Sequence, residues 1–251
     1  MKHNRLLTLA AALCLCVFSL HAQTKSGGDF ELTIANQTLQ AGQEYWIPVE
    51  ANLSDFQGYQ FTLAFDLEKV AFIDMAYGVS REENFGFFLD QGVITTSWNE
   101  FGNRVAGNKG QEMLFTLHLR AKQNCQLNSV LILGERHTAP EAYNRKDQQV
   151  GVRLNFTKTL ENATTFTLRQ NTPNPFQDET VIGFFLPEAD AVTLTVRDVK
   201  GQVLMVRKAD FSKGNQLFIL RRNELNANGA LLYTVETSKS RDTKKMILLE
   251  R

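Results

Sequence analysis

The stretch Phe56-Gln-Gly-Tyr-Gln-Phe-Thr-Leu-Ala-Phe-Asp66 alternates apolar and polar side chains with period two. That period belongs to a β-strand whose two faces meet different surroundings. Phe61, Leu63 and Phe65 fall on one face, and Gln60, Thr62 and Ala64 on the other. Asp66 then begins a turn into Val70-Ala-Phe-Ile73. Working outward, the same alternation recurs upstream in Phe30-Leu32-Ile34 and Tyr45-Ile47-Val49. Downstream it recurs in Leu117-Leu119, Val130-Ile132, Val192-Leu194-Val196, Phe218-Leu220 and Leu231-Tyr233-Val235. Turn signals separate these runs: Ala41-Gly42, Asp90-Gln91-Gly92, Gly107-Asn108-Lys109-Gly110, Lys200-Gly201 and Asn228-Gly229. No helix-period stretch exceeds about two turns. Many short strands at this spacing predict an all-β chain made of antiparallel sandwiches.

The polar stretch Thr157–Thr164 has no periodicity and reads as a linker. Before it, residues 28–156 are expected to form a sandwich of roughly nine strands, with long connections at Gly78–Asn84 and Glu100–Gly110. After it, residues 165–251 are expected to form a second, smaller sandwich. At the other end, Lys2 and Arg5 precede the apolar run Leu6–Leu20, and Leu20-His21-Ala22 offers a cleavage site. Residues 1–22 therefore read as a secretory signal peptide. The run is too short to span a bilayer and lacks a stop-transfer flank, so no transmembrane span is expected in the mature chain. Cys14 and Cys16 leave with that segment, and Cys125 has no partner for a disulfide. Lys plus Arg and Asp plus Glu number 27 each, and losing Lys2 and Arg5 leaves 25 basic residues against 27 acidic ones. No field of one sign exists to attract nucleic acid. The pairs Arg221-Arg222 and Lys244-Lys245 are too short to make a basic patch.

The opening stretch also carries a pattern: a glycine opens the strand and an aspartate closes it. Gly92-Val-Ile-Thr-Thr-Ser-Trp98, Leu114-Phe-Thr-Leu-His-Leu119, Glu141-Ala-Tyr143 and a final strand at Val150–Phe156 follow in order. In this succession residues 28–156 resemble cohesin domains, with Leu67 standing where that family usually has proline. The resemblance implies a jelly-roll sandwich, similar in fold to a group of carbohydrate-binding modules. It implies a binding role, either to a dockerin-like protein or to polysaccharide. Cohesins dock through one sheet face, which here would combine strands near 58–66, 85–89, 93–98 and 129–134. Gln60, Thr62, Ala64, Thr95 and Ser97 are then the outward residues, on a face that a plain solvated sheet would also present. Trp46 and Trp98 are the sugar-stacking candidates, although large aromatics more often fill a core. Alternation against Tyr45, Ile47 and Val49 places Trp46 on the outer face.

Residues 165–251 open with Leu168-Arg-Gln-Asn-Thr-Pro-Asn-Pro-Phe176, in which Pro173 and Pro175 enforce an extended segment without two ladder donors. Next come a strand at Thr180–Leu186, a hairpin with Asp198 and Gly201 at its turn, Gly229-Ala-Leu-Leu-Tyr233, and Thr243-Lys-Lys-Met-Ile-Leu-Leu249. Pro173, Asn174, Pro175, Phe176, Asp198, Gly201, Gly229, Tyr233, Lys244 and Lys245 together resemble the type A C-terminal sorting domain of the bacterial type IX secretion system. This implies a small immunoglobulin-like sandwich. It also implies a Gram-negative outer membrane crossed through the type IX machinery, cleavage by a sortase-like peptidase, and a cell-surface or extracellular destination.

Signals for chemistry are sparse. His118 and His137 are the histidines outside the signal segment. A Cys–His nucleophile would need Cys125 beside one of them, with an orienting group. Glu82-Glu83 and Asp66 with Glu68 read as turn and surface charges. There is no nucleophile elbow, no zinc-protease motif, no phosphate-cradling glycine loop and no EF-hand loop. The sequence thus predicts a non-catalytic binding protein with no metal and no cofactor.

Overall fold

The computed structural model describes residues 28–100, 110–157 and 164–250. The signal segment, most of the Glu100–Gly110 connection and most of the linker lie outside the described residues. The described residues are all-β and build two sandwiches from nineteen strands.

The first sandwich holds β1 (Phe30–Ala35), β2 (Thr38–Leu39), β3 (Glu44–Asn52), β4 (Phe56–Phe65), β5 (Val70–Tyr77) and β6 (Phe85–Phe88). It continues with β7 (Val93–Asn99), β8 (Gln111–Ala121), β9 (Cys125–Gln126), β10 (Leu131–Gly134), β11 (Glu141–Asn144) and β12 (Gln149–Thr157). That is more than the nine expected, because the count misses two-residue strands and the split between β10 and β11. Ten of its strands form one hydrogen-bonded sheet along the path β5-β8-β3-β1-β12-β11-β4-β7-β6, with β10 also on β4, and β2 pairs with β9 alone. The path folds over on itself at β12, which pairs parallel with β1 through Val152–Thr157 and antiparallel with β11 through Gln149–Gly151. The sandwich is therefore not purely antiparallel. Phe61, Leu63 and Phe65 of β4 share one apolar core with Ile47, Val49, Phe115 and Leu117. Burying such side chains contributes roughly 1.5–3 kcal/mol each, before the chain entropy they must offset.

Two connections are tight, the first as its turn signal suggests and the second against expectation. Leu89–Gln91 is a single 3₁₀ turn closed by Gly92 at φ 66°, where a Cβ would stand 2.4 Å from the Phe65 carbonyl oxygen. After β5, Gly78, Val79 and Ser80 donate backbone hydrogen bonds to the Leu114 and Met113 carbonyls at 3.0–3.2 Å. The expected long loop at Gly78–Asn84 is thus mostly tied to β8.

The second sandwich holds β13 (Thr167–Leu168), β14 (Glu179–Leu186), β15 (Asp190–Asp198), β16 (Val203–Phe211), β17 (Gly214–Arg221), β18 (Gly229–Glu236) and β19 (Arg241–Leu248). It pairs the sheet β13-β14-β17 with the sheet β16-β15-β18-β19. Val192, Leu194, Val196, Tyr233, Val235 and Met246 are fully buried between the sheets. The two sandwiches touch. Val181, Leu217 and Ile219 from β14 and β17 pack on Trp46, Ala76 and Met113 of the first sandwich. Beside them Arg169 pairs with Glu50 and donates to Asn215 Oδ1 at 3.3 Å.

Candidate functional site

The sheet of β6, β7, β4, β10 and β11 brings together the four segments expected to share a face. Register sets Gln60 opposite Ser97 and Thr62 opposite Thr95, with Ala64 next along β4. Ser97 is exposed, and Gln60, Ala64 and Thr95 are half-buried. Thr62 is a correction: it points to the outer face and yet is fully buried. The chain after β10 folds back across the sheet and closes over it. The Thr62 hydroxyl lies 2.8 Å from the Arg136 carbonyl oxygen and 2.9 Å from that of Thr138, and accepts the Thr138 N–H at 3.2 Å. Having one proton, it donates to one carbonyl at a time. His137, at φ 75°, stacks on Phe88 with centroids 4.0 Å apart and contacts Gln91 at 3.2 Å.

Residues that alternation missed complete this face. Ile132 of β10 is 59% exposed and lies opposite Ala64. The alternation read in Val130-Ile132 is a correction: the run Val130-Leu131-Ile132-Leu133 is apolar throughout, Val130 and Leu131 turn in, and Ile132 turns out. On β11, Glu141 stands opposite Gln60, and Tyr143 opposite Gly58. The Gln60 amide reaches the Glu141 carboxylate at 3.4 Å, and the Tyr143 hydroxyl donates to it at 3.2 Å. The face is thus hydrogen-bonding at the Gln60–Ser97–Glu141 end and apolar at Ile132.

Neither tryptophan is an open platform. Trp46 lies on the outer face of the other sheet, as its alternation indicates. There it stacks on His118 with centroids 4.0 Å apart and packs against the second sandwich. Trp98 pairs with Tyr59 on the inner face and stacks on it at 5.2 Å. Large apolar rings at these positions lose more water-exposed area by packing than by standing free.

The residues carrying the second resemblance are mostly architectural. Phe176 is buried, and its N–H and C=O bond to Ile247 and Leu249 at 2.9 and 2.8 Å. The Asn174 side chain accepts the Ile247 N–H at 2.8 Å. Pro173 and Pro175 both follow cis peptide bonds. Tyr233 is fully buried; its hydroxyl accepts the Asn171 N–H at 2.8 Å and donates to the Arg169 carbonyl at 2.9 Å. Burial pushes its phenol pKa up. Asp198 accepts the N–H groups of Lys200 and Gln202 at 2.9 Å, which closes the hairpin that turns at Gly201. Gly229 opens β18 opposite Leu248. Lys245 is exposed opposite Leu232, and Lys244 is half-buried opposite Tyr233. The opening segment, β18 and the end of β19 therefore converge, and the Asp198 turn serves its own hairpin.

Cys125 sits half-buried on β9, paired with Leu39. Burial raises its thiol pKa, which disfavours the thiolate. His118 faces Glu44 at 3.1 Å. Among the described residues, no group of three or more His, Cys, Asp and Glu side chains is placed to hold a metal ion. Among them too, no helix is long and apolar enough to cross a membrane.

No protein-family model matches this chain. No curated protein matches it either. Solved structures it is similar to include cohesins. One is the sixth cohesin of scaffoldin B from Acetivibrio cellulolyticus, solved with a dockerin: 14% identity, 53% of this chain and 99% of that one, TM-score 0.40. Another is the cohesin of a type I cohesin–dockerin complex from Clostridium thermocellum: 12% identity, 51% and 94% covered, TM-score 0.38. A third is a non-cellulosomal cohesin from the archaeon Archaeoglobus fulgidus: 17% identity, 52% and 90% covered, TM-score 0.37.

Proposed function

We propose that this chain is an exported, non-catalytic binding protein of the cell surface. In this reading its first sandwich docks a dockerin-like protein through the outer face of β6, β7, β4, β10 and β11. One observation carries the choice of face. The outer face of the opposite sheet is occupied by the second sandwich at Trp46, Ala76 and Met113. Among the described residues the proposed face carries no such cover beyond its own loop, and it presents Ile132 at 59% exposure at one end and Gln60, Ser97, Glu141 and Tyr143 at the other. An exposed apolar side chain and a separate hydrogen-bonding patch on one sheet face are the kinds of group that a protein interface uses. The ordered cohesin-like motifs support the partner class. The second sandwich, in the same reading, is the address. The Pro173–Phe176 opening, Tyr233 and the Lys244-Lys245 strand support export through type IX machinery and processing by a sortase-like peptidase.

The test uses the whole chain. Ile132→Asp should abolish capture of a dockerin-type module while leaving the circular dichroism spectrum unchanged. Capture equal to the parent's would discard the face. In the native host, deleting residues 165–251 should hold the protein in the periplasm, and normal surface display would discard the address.

A further inference from the structure

A break in register delivers one carboxyl to the seam. β8 pairs with β3 at Phe115 opposite Val49 and at Met113 opposite Glu50, so Leu114 is the extra residue of a β-bulge. Beyond the bulge the faces of the strand are reversed. Met113 packs against the second sandwich, and Glu112 lies opposite Ala51, a fully buried member of the first core. Residues opposite each other on paired strands share a face. An acidic side chain thus occupies a core-facing position at the end of the first sandwich.

Two hollows flank Glu112, and the second sandwich roofs both. One is an open cleft of about 160 Å³ with Leu53, Phe56, Trp98, Pro173 and Pro175 as its apolar wall. The other holds Glu50, Met113, Arg169 and Gly183. Glu112 and Thr172 line both, so Glu112 sits where the second sandwich comes down on the first. Arg81 from the link between β5 and β6, Glu100 after β7 and Arg145 after β11 are the other charged residues of the cleft. Glu50 of β3 and Arg169 after β13 are those of the second hollow. Arg145 grips Glu100 through hydrogen bonds of 2.7 and 3.2 Å, and Arg169 pairs with Glu50. Among the described residues no ion pair holds Arg81, and neither an ion pair nor a hydrogen bond holds the Glu112 carboxyl. Burial is the sole cause that lifts the Glu112 pKa from 4.5 to about 7, and no arginine offsets it.

An unpaired carboxylate in such a place costs free energy, and a neutral carboxylic acid costs far less. Part of the burial comes from the second sandwich, whose residues cover both hollows. When the sandwiches part, water reaches Glu112 and the acid regains its strength. Separation therefore releases a proton, and by reciprocity a rise in pH favours separation. We propose that Glu112 makes the joint between the two sandwiches pH-sensitive: its neutral form lies beneath the second sandwich, and its ionised form drives the two apart. A single proton sets the steepness. Docking weakens by at most about tenfold per pH unit between 4.5 and about 7, and levels off above that window.

The experiment follows the Glu112 carboxyl carbon by NMR in the intact chain, from about pH 4 to pH 9. It repeats this in two variants that place a charge in the apolar seam, Leu217→Asp and Val181→Lys. Small-angle scattering reports whether the sandwiches have parted. Glu112 should titrate near pH 7 in the parent and at least about one pH unit lower in the parted variants, a tenfold or larger preference for docking when it is protonated. The two variants carry opposite charges, so a Coulomb effect alone would move the titration in opposite directions. A second reading does not depend on either variant parting. In the parent, the urea midpoint seen at the Trp46 indole signal should fall between about pH 5 and pH 8, and in Glu112→Gln it should not. If scattering shows the variants still docked, this reading decides alone. Glu112 titrating at one pH in parent and parted variants, an ordinary titration near 4.5 in the parent, or an equal fall in the glutamine variant would overturn the proposal. None of these results bears on the Ile132 test, so the two readings fail separately.

Discussion

Glu112 stands on β8 at the seam of the two sandwiches, where burial sets its protonation. Its pKa rises from the ordinary 4.5 to about 7. The sign of the consequence follows from proton counting. Between those values the folded chain keeps a proton that the unfolded chain has lost, so stability falls as pH rises through that window and stays lower above it. Glutamine carries no charge to bury. Glu112→Gln should therefore leave stability unchanged near pH 4 and raise it above pH 7, by on the order of 1–2 kcal/mol once partial solvent access is discounted. Urea unfolding at the two pH values measures this, and an equal effect at both would disprove the linkage. Thr62 teaches a related lesson. Alternation assigns it correctly to the outer face, but only the loop from Gly134 to Thr138 decides that this face is closed above it. A strand period reports direction; it does not report what arrives later in the chain to cover the spot.

At the scale of elements, β14 shows a signal that sequence reading can use. Val181-Ile-Gly-Phe-Phe-Leu186 is buried along its whole length, Ile182, Phe184 and Leu186 in the sandwich core and Val181 against the first sandwich. A continuous apolar run marks a strand covered on both faces. Read that way, Thr180–Leu186 foretells a neighbour on its outer side without naming it. The link from β5 to β6 shows a signal that cannot be read. Gly78 passes so near β8 that a Cβ would lie 2.2 Å from the Met113 carbonyl oxygen and 2.9 Å from that of Leu114. Neither is the movable end of a side chain. Gly78→Ala should thus destabilise the first sandwich by about 2 kcal/mol, as overpacking does. Thermal melting checks it, and a variant as stable as the parent would show that this segment yields. In isolation Gly78-Val-Ser reads as a loose connection, because the contact that constrains it is with residues more than thirty positions away.

For the whole molecule, the seam between the sandwiches is modest: an apolar cluster around Trp46, Met113, Val181 and Leu217, plus the Arg169–Glu50 pair. Such a patch is enough to orient two sandwiches, and one buried charge is enough to separate them, since an unpaired carboxylate in an apolar contact is costly. Leu217→Asp should split a shared unfolding transition into two and abolish slowed hydrogen exchange at Trp46. A single unchanged transition would mean that the sandwiches are held together elsewhere. The sequence alone determined the all-β class, the strand faces in Phe61-Leu63-Phe65 and Val192-Leu194-Val196, and the turns at Gly92 and Gly201, because each depends on residues a few positions apart. Tertiary structure alone decided that Trp46 is covered, that Trp98 packs on Tyr59 at the rim of a cleft, that Thr62 is sealed and that Ile132 is bare. Exposure is a property of what else packs nearby, and the neighbours concerned here come from another strand, another loop or the other sandwich.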